Sequence, residues 1–334
     1  MNFKQFPLIH EVLNEEKLKP ESVLDGDKLI CVDDKGEKYV FKECRGEEEK
    51  VFAKVFPKIR SLNLKFEVLK LPQHKTVVKK VVGDKENQKE FKFILIKYYE
   101  GIYYNKSWNE YYPESLGGRG VDIEIVDKSV RLLKDFSLIN TEKLSEFNLL
   151  EFDFDRWKAK NLPLMKQHLL QKKVISEDQI SKTEEILNKE GLFSGSKRVL
   201  TNGDFYPRNF IQPPSGKVVV IDWEGRIDYE LDVPIKEGSE KLRGQRNAFI
   251  NYIENHAAFL FVHMWGNYEF RREFIKKVSE EFELSVENLQ AALIIKALEQ
   301  SFLWKDIPHT HLAVDQIQIL IDALNKRYVE DMLR

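Results

Sequence analysis

Residues 200–224 read L-T-N-G-D-F-Y-P-R-N-F-I-Q-P-P-S-G-K-V-V-V-I-D-W-E, and the reading of the whole chain turns on how this stretch folds. Two polar constellations, G-D-F-Y-P-R-N at 203–209 and I-D-W-E at 221–224, flank a turn cluster of Pro213, Pro214, Ser215 and Gly216 and a β-branched run from 217 to 221. A turn rich in proline and glycine between two apolar runs predicts a hairpin. The hairpin sets two strand ends side by side, so that Asp204, Asn209 and Asp222 converge on one small volume. Two carboxylates and an amide oxygen are hard ligands that suit Mg2+ bound to a polyphosphate better than zinc. The chemistry such a set serves is phosphoryl transfer: one aspartate orients or accepts the proton of an attacking hydroxyl, while an asparagine and a second aspartate hold the metal. Each half alone is also what an ordinary loop with Asp and Asn side-chain turns contains. Both halves, in this order and around this hairpin, carry the inference.

The same residues resemble the catalytic and metal-binding loops of the aminoglycoside phosphotransferase and choline kinase family, small-molecule kinases whose patterns are H-G-D-x-x-P-x-N and a later I-D-W/F-E. The resemblance implies an α+β, protein-kinase-like fold of two lobes. A mostly antiparallel β lobe would span 1–97 and bind nucleotide; a mostly helical lobe would span 98–334, with the catalytic hairpin at 200–224 and the substrate pocket. It further implies ATP and Mg2+ as cofactors, Asp204 as catalytic base, Asn209 as a metal ligand and Asp222 as the principal one. Asn202 stands where the family has histidine, which bears on how the loop is braced. The implied acceptor is a hydroxylated small molecule such as an amino sugar, an amino alcohol or a sugar. The alternative is a kinase-shaped nucleotide-binding or scaffold protein without turnover.

Outward from this stretch, the amino-terminal part alternates as short strands at 22–24, 28–32 and 39–44, around a polar turn at 33–38. In the implied fold the third strand carries a lysine for the α- and β-phosphates, and Tyr39-Val-Phe-Lys42 has that form; by its own residues it is an ordinary strand lysine. The turn over the phosphates would fall at 24–27, where Gly26 is the one glycine. Residues 47–60 place apolar side chains at 51, 52, 55, 56 and 59, a helical stripe with acidic residues in its first turn. Of these, Glu48 shares the stripe's face and is the expected partner of Lys42. Pro57 is expected to bend or shorten this helix. Strands follow at 66–71 and 76–82, and then 91–101, which resembles the segment joining kinase lobes. By that resemblance the carbonyl of Lys97 and the amide of Tyr99 meet the adenine edge.

An aromatic loop at 102–120 precedes a mainly helical remainder: a stripe of Val126, Val130, Leu133 and Phe136, helices over 157–170 and 178–187, and others over 248–265, 284–304 and 314–332. Ser176 and Gln179 are spaced as a capping box. His256, His263, His309 and His311 form no zinc or triad pattern and are expected to be structural. Glu224, Asp228, Glu230 and Asp232 concentrate acidity after the hairpin, which would suit a cationic acceptor and equally suits a solvated loop.

The 334 residues, 42% hydrophobic and 32% charged, suffice for one large two-lobed unit. With 53 Lys and Arg against 55 Asp and Glu, no global positive field recruits nucleic acid or an anionic membrane. Cys31 and Cys44 are the two cysteines and are expected to be buried thiols in a reducing compartment. No apolar run has the length of a signal peptide core or a membrane span, so a cytoplasmic location is expected.

Overall fold

The computed structural model of the chain describes residues 6–25, 28–83, 87–103, 123–224, 230–235, 238–243, 248–264, 267–303 and 311–327. The chain opens with a helix that the sequence reading did not anticipate, α1 (Phe6–Glu15), and continues into β1 (Lys19–Asp25), β2 (Lys28–Val32) and β3 (Lys38–Glu43). After a helical run come β4 (Leu69–Lys70), β5 (His74–Val82), β6 (Lys89–Lys97) and β7 (Ile102–Tyr103). Strands β1, β2, β3, β6 and β5 form, in that order, an antiparallel sheet. Strand alternation gives this sheet two different faces. Phe41, Phe91, Phe93 and Leu95 point to one side and bury Ile9, Val12 and Leu13 of α1. Val40, Lys42 and Ile96 point to the other, where they line a cleft.

The helical run after β3 is α2 (Glu48–Lys50), a wider π-type segment (Val51–Val55) and α3 (Phe56–Ser61). Pro57 neither ends nor shortens it. The helix widens ahead of the proline, Phe56 donating its N–H five residues back to the Val51 carbonyl, and Pro57 falls in the first turn of α3, where its missing N–H costs nothing. Pro163 is accommodated in the same way, behind the π-type segment Trp157–Asn161.

The strand expected at 66–71 is confined to Leu69–Lys70. The buried carboxylate of Asp135 explains this: it accepts the N–H groups of Glu67, Val68 and Leu69 at 2.8, 2.7 and 2.7 Å, so those donors are not offered to a neighbouring strand. β4 instead pairs in parallel with the predicted hairpin, formed by β9 (Phe210–Gln212) and β10 (Val218–Val220). The order β4, β10, β9, β7 makes a second sheet. Gly101 leads into β7 so close to β9 that a Cβ there would lie 2.3 Å from the Gln212 carbonyl oxygen.

The rest is chiefly helical: α4 (Ile123–Ser137), α5 (Phe154–Arg156), α6 (Leu162–Gln171), α7 (Glu177–Leu187), α8 (Ile253–His263), α9 (Tyr268–Phe282), α10 (Val286–Leu303) and α11 (His311–Leu324). The α4 stripe is buried, and α7 carries both bonds of the Ser176–Gln179 capping box. Every residue of α8 is buried, and α10 packs against both α8 and α11. Helices buried all round belong at the centre of a domain. Two expectations need correcting. The region read as mainly helical over 248–265 begins as a strand, β13 (Ile250–Tyr252), antiparallel to β8 (Arg198–Leu200); β8 leads into the 203–209 loop, and its backbone groups require a partner. The last helix breaks at Leu324, before a left-handed Lys326 at φ +58°, and residues 328–332 of the expected stretch lie outside what is described. Where acidic loop residues were expected, β11 (Glu230–Ile235) and β12 (Gly238–Arg243) form a hairpin. The side chains of Glu230, Asp232 and His311, the residues Gly26, Asp228 and His309, and nearly all of the 102–120 loop lie outside what is described.

Candidate active site

The loop from Thr201 to Asn209 follows β8 through Gly203, whose φ of +79° is the left-handed conformation that glycine adopts freely. The Asp204 carboxylate accepts from Asn209 Nδ2 at 3.0 Å, and the Arg208 guanidinium lies 3.5 Å from the same Oδ2. The Asp204 side chain is 18% exposed, so it is held but reachable. Asn209 Nδ2 also donates to the Asp204 carbonyl at 2.8 Å. The amide's oxygen is then the atom it has for a cation. The Ile221 N–H donates to the Asn209 carbonyl at 2.9 Å, which stitches the end of β10 to this loop and sets Asp222 beside it.

Asn202, in the family's histidine position, braces the same two segments: its Nδ2 donates to the Ile221 carbonyl at 2.8 Å and to the Asp204 carbonyl at 3.2 Å. Behind it, Thr201 Oγ1 accepts the Gly203 N–H at 3.2 Å and lies 3.3 Å from His256 Nδ1. His256 Nε2 lies 3.0 Å from the Val199 carbonyl, an acceptor, so the proton is on Nε2 and Nδ1 takes the threonine hydroxyl. Burial pushes His256 down to about 4. Its charged form is thus disfavoured in the fold, and protonation favours the unfolded chain. Stability is expected to fall by up to about 3 kcal/mol as pH drops from 6.5 to 4. Urea unfolding at pH 7 and pH 4.5 should show a steeper loss for the wild type than for His256→Gln; equal losses would exclude this histidine as the cause.

Beyond β10 the chain alternates sharply. Trp223 is fully buried, donates Nε1–H to the Val220 carbonyl at 2.7 Å and packs on Phe56, Phe136 and Phe249. Asp222, at φ +59°, lines the cleft. Aspartate tolerates this left-handed conformation better than most residues, and the tryptophan anchor on its other side holds it there.

On the opposing sheet, buried Lys42 Nζ lies 2.9 Å from Glu224 Oε1, 3.1 Å from Glu48 Oε1 and 3.7 Å from Asp222 Oδ1. Burial acts to lower the Lys42 pKa, but the charges of Glu48, Asp222 and Glu224 outweigh it and hold the ammonium protonated, well above its usual range. Of the three adjacent glutamates, Glu48 faces Lys42, Glu47 pairs with Lys50, and Glu49 pairs with Lys79 and Lys92. The Glu47 N–H donates to the Glu224 carbonyl at 2.9 Å, so the start of α2 is tied to the segment that carries Asp222. Sequence reasoning missed Glu224 as a partner of Lys42, although its place two residues after Asp222 puts it on the same side of an extended chain. Burial pushes the thiols of Cys31 and Cys44 up to about 11 and about 12; both are free and chemically quiet.

Between the two sheets lies a cleft that opens to solvent. Leu24 and Val40 wall it on one side and Ile211 and Ile221 on the other, with Lys97, Tyr98 and Tyr99 at its edge. The Tyr99 hydroxyl accepts the Gln73 N–H at 2.9 Å, which pins this edge. Lys42, Glu48 and Asp222 also line the cleft. The described residues hold no cluster of three or more His, Cys, Asp or Glu side chains suited to a metal ion. Two oxygen donors, from Asn209 and Asp222, nonetheless fit Mg2+, which takes one or two protein ligands and completes its shell with phosphate oxygens and water.

No protein-family sequence model matches the chain, and no curated protein sequence matches it. Solved structures do. The complex of an aminoglycoside 2'-phosphotransferase with GDP is 9% identical, with a TM-score of 0.55 over 98% of this chain and 99% of that one. An aminoglycoside phosphotransferase in ternary complex with ADP and hygromycin B is 12% identical, with a TM-score of 0.55 over 95% and 98% of the two chains. An amicoumacin kinase in complex with AMP-PNP, Ca2+ and Ami is 12% identical, with a TM-score of 0.52 over 96% and 93%. Together with the β-rich first part and the helical second part that contains the hairpin, these likenesses show that the chain has the α+β, protein-kinase-like fold of the aminoglycoside phosphotransferases.

Proposed function

We propose that the protein is a phosphotransferase that moves the γ-phosphoryl group of ATP to a hydroxyl of a small molecule. One observation carries this reading: the loop bearing Asp204 and Asn209 is stitched to the strand end bearing Asp222, at a cleft whose opposite wall presents a lysine held by buried glutamates. In this reading the adenine lies between Leu24 and Val40 on one side and Ile211 and Ile221 on the other, and meets the backbone of Lys97 and Tyr99 at the edge. Lys42 neutralises the α- and β-phosphates. Asn209 and Asp222 hold Mg2+, which spreads the charge of the phosphate oxygens when bound. Asp204 orients the acceptor hydroxyl and takes its proton as the new O–P bond forms and the bond from the γ-phosphorus to the β-bridging oxygen breaks, releasing ADP. Solved neighbours in complex with kanamycin or hygromycin B support a small polyhydroxylated acceptor.

Purified protein given Mg·ATP or Mg·GTP and a panel of amino sugars, amino alcohols and sugars is expected to release nucleoside diphosphate in step with a phosphorylated acceptor. Binding of nucleotide with no acceptor turned over across the panel would favour a kinase-shaped binding protein. Absence of nucleotide binding would reject the cleft assignment altogether.

A further inference from the structure

We propose that Lys28 is a second cation for the polyphosphate of the nucleotide, one that compensates for the scarcity of glycine in the turn before it; the inference rests on the phosphotransferase reading of the same cleft. In kinases with a glycine-rich turn between the first two strands, that turn covers the phosphates. Here residues 24–27 contain one glycine. Lys28 opens β2 immediately after this turn and lines the cleft together with Lys42. The two ammonium groups converge on one atom: Lys28 Nζ lies 3.6 Å, and Lys42 Nζ 3.7 Å, from Asp222 Oδ1.

The charge balance explains why a second cation is needed. Lys42 carries one positive charge and faces the carboxylates of Glu48, Glu224 and Asp222. It is committed to holding them, and by itself it does not make the neighbourhood attractive to a polyanion. Arg45, 4.0 Å from Glu224 Oε1, offsets charge on the Glu224 side. Lys28 supplies the offset at Asp222, where the terminal phosphates would lie. Its side chain is 21% exposed against 4% for Lys42, and a lysine on a flexible stem can follow a phosphate as a point charge.

Titration calorimetry of the full chain with Mg·ATP, Mg·ADP and AMP, on the wild type, Lys28→Met and Lys28→Arg, tests this. Lys28→Met is expected to weaken ATP and ADP about tenfold or more, to leave AMP within about twofold, and to keep the wild-type melting temperature; Lys28→Arg should restore most of the loss. Unchanged ATP affinity in Lys28→Met, or an equal loss for AMP, overturns the role of Lys28 while leaving the phosphotransferase reading in place. A wild-type protein that binds no nucleotide removes both.

Discussion

Asp204→Asn is expected to lower kcat by about 10²–10⁴-fold while nucleotide affinity stays within about twofold of the wild type, within the error of a calorimetric titration. The substitution keeps the size and planarity of the side chain and an oxygen that can still accept from Asn209 Nδ2, now at 3.0 Å. What it removes is the negative charge that orients the acceptor hydroxyl and receives its proton. The nucleotide contacts assigned to Lys42, Asn209 and Asp222 remain, so binding and turnover should separate. Single-turnover phosphoryl transfer, measured once an acceptor has been found, checks the first half and calorimetry the second. A variant as active as the wild type would remove Asp204 from the chemistry, whereas loss of nucleotide binding together with turnover would make it a residue that shapes the loop.

Lys42→Met should be costly twice over. It takes away the cation assigned to the phosphates, and it leaves fully buried Glu48 and nearly buried Glu224 facing one another without their closest counter-charge, the more exposed Arg45 lying 4.0 Å from Glu224 Oε1. Breaking a buried ion pair from one side typically destabilises by about 3–5 kcal/mol. The sign of its pH dependence follows from Glu48, whose carboxyl is pushed up by burial and further by Glu224, against the pull of Lys42. With the lysine gone, the upward influences of burial and Glu224 are opposed only by the hydrogen bond from the Arg45 N–H. A carboxyl with a raised pKa in the fold binds more protons there than in the unfolded chain, so the deficit should shrink as pH falls towards 5 and grow towards 8. Adding Glu48→Gln to Lys42→Met should recover part of the stability but none of the activity. A single variant with wild-type stability at pH 8 would show that the cluster relaxes into solvent when the lysine is lost.

The elements legible in the sequence are those whose causes are local. The 210–220 hairpin follows from its proline and glycine turn, the α4 stripe from its 3.6-residue period, and the start of α7 from a serine and a glutamine three residues apart. The backbone bond that ties Ile221 to Asn209 belongs with these, because a short turn is all that joins their strand ends. Pro57 is a local signal with a non-local answer: its effect depends on whether the preceding turn can widen, and packing of Val51, Phe52 and Val55 in the core lets it do so.

By itself, then, the sequence determined the hairpin, the strand bearing Lys42 and the helix bearing Glu48, and through them a β-rich part followed by a helical one. Tertiary structure alone decided what those residues meet. The bond from Lys42 to Glu224 spans 182 positions, the carboxylate of Asp135 reaches back to residues 67–69, and His256 supports a loop far ahead of it in the chain. Apart from the two-residue step from Asp222 to Glu224, these contacts leave no periodic or spacing signal. A buried charge or donor takes whichever partner the packing of distant elements brings within reach, and that partner is chosen in space.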